Sequence, residues 1–170
     1  MRQAKPTKNS YATMTEIVMP NDTNPLGNLM GGKMMHWMDM VAAISAQRHC
    51  NRVVVTASVD NVSFKNSIRL GDVVTLTAEV TRAFNSSMEV YIEAWAENII
   101  TGTKIKSNEA FYTFVAVDQI GKPIDVPEVT PETPDEKSRY EQALSRRELR
   151  LVLAGRMKME ETKELKKMFS

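Results

Sequence analysis

Between residues 73 and 84 apolar and polar side chains alternate, Val74, Leu76, Ala78 and Val80 against Thr75, Thr77, Glu79 and Thr81, which is the period of a strand with one face buried. Residues 88–97 repeat the pattern, with Met88, Val90, Ile92, Ala94 and Ala96 against Glu89, Glu93 and Glu97. Asn85, Ser86 and Ser87 join the two as a hairpin turn. Residues 53–59 and 104–117 supply further strands, bounded by turns at Gly71-Asp72 and Thr101-Gly102. A shorter apolar run over residues 13–19 ends at Pro20 and a turn-rich stretch from Asn21 to Gly27. Residues 33–49 break the pattern: they contain no Pro or Gly, are rich in Met and Ala, and predict one long helix. At about 100° per residue, Met34, Trp37, Met38, Val41, Ile44 and Ser45 share one face, while Gly32, Met35, Asp39, Ala43 and Ala46 share another. Only a wedge around Lys33, Met40 and Gln47 is left for water, so the helix is expected to be wrapped by its own sheet on one side and covered on the other.

The order of strand, long helix and antiparallel meander is α+β, not alternating βα units. Residues 1–12 are polar and aperiodic and read as a mobile end, residues 13–125 as the folded domain, and residues 126–170 as a proline-containing linker with a charged helix. In that last segment Thr133-Pro134-Asp135-Glu136 has the form of a capping box. Residues 134–170 hold ten Lys/Arg and seven Asp/Glu, a local excess of three positive charges whose plain reading is a solvated helix or frayed tail. Trp37, Trp95, Phe111 and Phe114 read as core aromatics.

Over the whole chain 22 Lys/Arg against 21 Asp/Glu leave a net charge of +1, so no broad basic field recommends nucleic acid or an anionic membrane as partner. No apolar run is long enough to cross a bilayer, and a single cysteine, Cys50, excludes an intrachain disulfide framework. A cytoplasmic protein is expected. His36 and His49 have no companions at zinc-ligand spacing, so no metal is expected. His36 and Asp39 lie three residues apart but lack a nucleophile to activate. Three features remain. Asp39 is a carboxylate in an apolar helix that needs a cleft, a donor or water. Asn24 stands in the loop before the helix. Gly31-Gly32 stands where the helix begins, offering bare amides at the positive end of its dipole.

Met19-Pro20, Asn24-Pro25, Gly27, Gly31-Gly32 and Trp37-Met38-Asp39, taken in order, closely resemble the cytosolic acyl-coenzyme A thioesterases of the hotdog fold. The likeness continues through Arg48-His49-Cys50, the run from Val55 to Asp60, Phe64, Gly71-Asp72, the run from Ser87 to Val90, the run from Ala110 to Phe114, and Pro131-Glu132-Thr133 with Asp135-Glu136-Lys137. The resemblance implies a long central helix wrapped by a curved antiparallel sheet, and pairing of two such units into a double-hotdog homodimer, commonly three dimers to a hexamer. It also implies hydrolysis of fatty acyl-CoA, with coenzyme A entering as part of the substrate and no separate cofactor required. Asp39 is then the general base or nucleophile, Asn24 of the partner protomer orients water or carbonyl, and the Gly32 amide holds the oxyanion. Ala57, Ser58 and Val59 would line the pantetheine channel beside a turn at Ser86, Ser87 and Met88. Arg146 or Arg147 would meet the nucleotide phosphate, with Lys65 and Arg69 as lesser candidates. Two alternatives stand beside it: a hotdog hydroxyacyl-thioester dehydratase, which uses a loop histidine where this chain has Asn24, and a non-catalytic acyl-CoA sensor or binding subunit.

Overall fold

The computed structural model describes residues 3–60, 62–64 and 66–169. Strands β1 (Lys5–Pro6) and β2 (Ala12–Ile17) precede helix α1 (Gly31–Cys50). Then come β3 (Val53–Val59), β4 (Val73–Ala83), β5 (Ser87–Asn98), β6 (Thr103–Val117), β7 (Val129–Thr130), α2 (Pro134–Leu153) and α3 (Glu164–Lys167). Five strands form one antiparallel sheet in the order β2-β4-β5-β6-β3. The expected meander is there, with strand ends within a few residues of those expected.

Helix α1 lies in the concave face of this sheet, the hotdog arrangement. Val74, Leu76, Ala78 and Val80 of β4 and Met88, Val90, Ile92 and Ala94 of β5 point to it. They meet Met34, Trp37, Met38, Val41, Ala42, Ser45 and Ala46 on the helix. Each large apolar side chain so buried contributes roughly 1.5–3 kcal/mol. Met35, Met40 and Ile44 stay exposed along α1; Ile44 therefore departs from the buried face that its angular position suggests. Among the described residues β3 is an edge strand without an outer neighbour, and it exposes Val53 and Val55. Met35 lies on the Asp39 face toward β3, while Met40 and Ile44 lie about 140° and 180° around the helix from Met35, so exposed apolar side chain and open sheet edge adjoin at Met35.

The opposite, convex face carries α2. The capping box forms as expected: the Glu136 amide donates to Thr133 Oγ1 at 3.2 Å, and the Thr133 amide donates to the Glu136 carboxylate at 3.0 Å. The helix is not a solvated one, however. Ala143 is fully buried, Arg139 pairs with Glu79 at 2.6 Å, and Arg82 donates to the Tyr140 carbonyl at 3.0 Å while stacking on its ring. Trp95 and Phe111 also face this side and are only partly buried; Lys104 lies over the Trp95 ring and Arg146 lies 3.8 Å from the Phe111 centroid. Strand parity explains the difference from the expected core role, because the alternate residues of β5 and β6 serve α1 and these serve α2.

Residues 5–12 are likewise packed, where a mobile end over residues 1–12 was expected; residues 1 and 2 lie outside the described residues. The Lys5 amide donates to the Glu128 carbonyl, pairing β1 with β7. Thr7 and Ser10 are buried in a 3-10 turn. Ser10 Oγ accepts from the Val80 amide at 2.8 Å, where the β4–β5 register shifts between Val80 and Arg82. The segment is held by satisfying backbone groups, a role that leaves no apolar period to read.

Candidate active site

The loop before α1 is fastened to the first turn of that helix. Asp22 accepts from the Met19 amide at 2.9 Å and pairs with Lys33 Nζ at 3.1 Å, and the Met30 amide donates to the Asp22 carbonyl. The Met19 amide, assisted by Lys33, holds the Asp22 carboxyl below the usual carboxylate range. Within this frame Asn24 folds an Asx turn, its Oδ1 accepting from the Leu26 amide at 3.0 Å and the Asn28 amide at 3.2 Å. Gly27 closes the turn at φ 74°. With Oδ1 engaged, the Nδ2 donors are what Asn24 can present to a ligand.

Asn24 borders a cleft of about 310 Å³ together with Leu29, Gly31, Phe64 and Asn108. A Cβ on Gly31 would stand 3.3 Å from the Phe64 ring, so glycine is what lets the ring lie against the helix start. Gly32 has open space around its α carbon and is exposed. Met30 gives the first turn no side-chain cap, which leaves the Gly32 amide without an intrahelical acceptor.

Asp39 does not line that cleft. It sits two turns further along α1, about 10 Å at 1.5 Å per residue. There Thr56 of β3 donates its hydroxyl to Asp39 Oδ1 at 2.7 Å. Tyr112 of β6 stands behind the same stretch and donates to the Met35 carbonyl at 3.3 Å; burial, and then the charge of Asp39, push its phenol up to about 12. The sequence reading assigned no role to Thr56, whose hydroxyl is the group that steers the Asp39 carboxylate. A threonine in an alternating strand carries no local signal; only the pairing of β3 against α1 exposes it.

Ala57, Ser58 and Arg147 come together around a second cleft of about 230 Å³, with Phe84, Thr113, Arg150 and Arg156 among its walls. Ser86 and Ser87 form the adjoining turn, where the Phe84 amide donates to the Ser87 carbonyl at 2.8 Å. The other expected residues of this group fall elsewhere. Val59 is exposed near the end of β3 and is not part of the wall, and the Met88 side chain is fully buried in the core. Arg146 is spent on Glu89: its Nε and Nη2 reach the carboxylate at distances of 2.8–3.2 Å, and Nη2 also donates to the Arg139 carbonyl. Arg69 lies in the turn where its amide donates to Asp72. Lys65 is outside the described residues.

Comparison with known proteins gives the family of the chain. Residues 26–103 match the family model of the thioesterase superfamily. An uncharacterised acyl-CoA thioester hydrolase of Bacillus subtilis is 44% identical over 139 residues, 82% of this chain and 81% of that protein. The cytosolic acyl coenzyme A thioester hydrolase of Rattus norvegicus is 39% identical over 81% of this chain, which spans 36% of that longer protein. A hexameric acyl-CoA thioesterase solved in its apo form shares 44% identity with a TM-score of 0.86, over 89% of this chain and 97% of that one. An acyl-CoA hydrolase from Staphylococcus aureus, solved in complex with butyryl coenzyme A and coenzyme A, shares 35% identity with a TM-score of 0.82, over 89% of this chain and 94% of that one. Further structures of the Staphylococcus aureus enzyme carry alanine in place of an asparagine, of an aspartate fifteen residues after it, and of a threonine seventeen residues beyond the aspartate. By these likenesses this chain is a member of the thioesterase superfamily, within its hotdog-fold acyl-CoA thioester hydrolases.

Proposed function

We propose that the protein hydrolyses fatty acyl-CoA to free fatty acid and coenzyme A at a site completed by two protomers. The observation that carries this is the division of the site within one chain: Asn24 and Gly31 border one cleft while Asp39 and Thr56 meet about two helical turns away. Two protomers related by a twofold axis can bring the Asp39 of one to the Asn24 cleft of the other, twice per dimer. Met35, exposed on the same helix face as Asp39, and the outer edge of β3 with its exposed Val53 and Val55 supply a surface for that pairing. Three such dimers would give the hexamer seen among the relatives. Asn24, Asp39 and Thr56 also repeat the fifteen- and seventeen-residue spacing of the asparagine, aspartate and threonine replaced in the Staphylococcus aureus enzyme.

In the reaction the Gly32 amide of the protomer that supplies Asn24 donates to the thioester carbonyl oxygen as negative charge develops on it. Asp39, aimed by Thr56, removes a proton from water attacking the carbonyl carbon, or attacks that carbon itself to form an anhydride that water then opens. Asn24 Nδ2 of the partner protomer orients the water or the carbonyl. Collapse of the tetrahedral adduct breaks the carbon–sulfur bond, and coenzyme A leaves as a thiolate; with a thiol pKa of about 8.5 it needs no strong general acid. No separate cofactor takes part. Three tail arginines, Arg147, Arg150 and Arg156, stand in one cleft with Ala57 and Ser58; Arg150 is held by Asp60 and Glu89, and we assign the phosphate contact to Arg147. A cytoplasmic location accords with the cytosolic relatives.

The experiment is to incubate the purified protein with acetyl-, hexanoyl- and palmitoyl-CoA and follow free thiol. Release of thiol with the longer chains is expected. Binding of all three with no release would replace this reading with that of an acyl-CoA sensor.

A further inference from the structure

The ion pairs beneath α2 reach the catalytic strand from the far side of the sheet. Glu89 of β5 is fully buried on the convex face; it takes Arg146 in two parallel bonds, Arg150 Nη1 at 3.0 Å and the Thr81 hydroxyl at 2.7 Å. The same Arg150 nitrogen reaches Asp60 Oδ2 at 2.8 Å, and both side chains are mostly buried. Asp60 follows directly on β3, and its amide donates to the Phe111 carbonyl at 3.0 Å, continuing the pairing with β6. One arginine therefore joins α2, the middle of the sheet and the end of an edge strand.

What that tie controls follows from strand parity. Thr56 and Asp60 are four residues apart, so in a regular strand both side chains would point to the same face. Here Thr56 points to α1, where it meets Asp39, and Asp60 points to α2, where it meets Arg150. The change of face comes from a bulge: Thr56 pairs with Phe114 and Ser58 with Thr113, so Ala57 is the extra residue. Erasing the bulge by a one-residue slip would turn one of the two ends over, and an edge strand with a single neighbour is the strand free to slip. Either Asp60 would leave Arg150 or Thr56 would leave Asp39.

We infer that Arg150, through Asp60, is a positioning element for thioester hydrolysis: by fixing the end of β3 it holds the Ala57 bulge that turns Thr56 to Asp39. This rests on Asp39 being the group that activates water or attacks. It gives the C-terminal helix a part in turnover besides any contact with coenzyme A, exerted through the sheet and not at the thioester.

The test is a double-mutant cycle on the intact protein, with turnover of hexanoyl-CoA followed by thiol release. Asp60→Asn keeps the shape of the side chain and removes its charge, while Arg150 retains Glu89. It should lower kcat about tenfold with KM little changed, and Asp60→Glu should recover most of the loss. Thr56→Val should lower kcat by itself, and adding Asp60→Asn to it should cost nothing further, because the first substitution has removed what the second misplaces. An unchanged kcat in Asp60→Asn, or the same fold loss in both backgrounds, overturns the inference. Full turnover by Thr56→Val overturns it too. Full turnover by Asp39→Ala would instead overturn the catalytic reading on which it rests.

Discussion

Helices α1 and α2 are each twenty residues long and lie on opposite faces of one sheet, yet they are held by different forces. Helix α1 is seated by dispersion and apolar burial along Met34, Met38, Val41 and Ala42, all at or near zero exposure. Its Lys33, Arg48 and His49 fasten neighbouring segments, while the Asp39 carboxylate meets only a strand hydroxyl, Thr56, among the hydrogen bonds of the described residues. Helix α2 buries little apolar surface and is seated by guanidinium groups: Arg139 on Glu79, Arg146 and Arg150 on Glu89, with Arg146 and Arg147 also over the rings of Phe111 and Phe84. Burial of ion pairs is costly to install and costlier to half-remove. Charges fasten both helices, Lys33 to Asp22 and Arg48 to the Tyr11 carbonyl on α1 as the arginines do on α2, and what sets Asp39 apart is a partner, Thr56, that is a hydroxyl and not an opposite charge.

That contrast can be broken at several points. The largest effect should come from Asp39→Ala, which is expected to lower kcat by about two to four orders of magnitude while leaving the assembly and its melting temperature intact; thiol release and size-exclusion chromatography check the two halves. Next is Glu89→Ala, which strands Arg146 and Arg150 together in a buried site and should cost about 3–5 kcal/mol of stability in denaturant titration. A small loss would mean that α2 is seated by something other than these pairs. Arg147→Ala should raise KM for acyl-CoA about tenfold with kcat little changed, the mark of binding energy lost equally from ground and transition states. An equal effect from Arg146→Ala on KM alone would contradict the division of labour drawn between the two neighbours.

The smallest effect concerns the far end of α1. His49 is fully buried there, its Nε2 donating to the Pro127 carbonyl at 2.8 Å, and burial holds its pKa below the usual value of 6.5. The folded state carries the ring neutral where the unfolded chain would bind a proton. Stability is therefore complete above the unfolded pKa and falls as pH drops below about 6.5, by at most about 1.4 kcal/mol per pH unit. Unfolding titrations between pH 7 and 5 should show this slope, and His49→Gln should flatten it.

The two helices also differ in how much of them could be read from the chain. The alternation in β4 and β5 and the Pro- and Gly-free run of α1 are local patterns, and the observed elements follow them closely. Gly32 and Asp39 stand out because each conflicts with its surroundings, a glycine where a helix must start and a carboxylate in an apolar helix, whereas Asn24 suits its turn and is singled out only by the family resemblance. Thr56 raised no such conflict, since threonine suits a strand and its partner lies on another element. The seating of α2 was equally hidden. Arg146 and Arg147 are adjacent and chemically alike, and only the 100° turn between them, set against the positions of Glu89 and the Ala57-Ser58 cleft, separates an attachment point from a ligand contact. Residues 5–12 escaped notice for the same reason, as Ser10 serves a strand amide seventy positions away.

The central claim is that each site takes its carboxylate from one protomer and its carboxamide from the other. Mixing Asp39→Ala and Asn24→Ala proteins, each inactive alone, under conditions that exchange subunits tests it most directly. If the site is shared, half of the randomly reassorted dimers hold one intact site, and about one quarter of the wild-type thiol-release rate should return. If both groups act within one chain, every protomer in the mixture remains defective, and the mixture would stay as inactive as its parents.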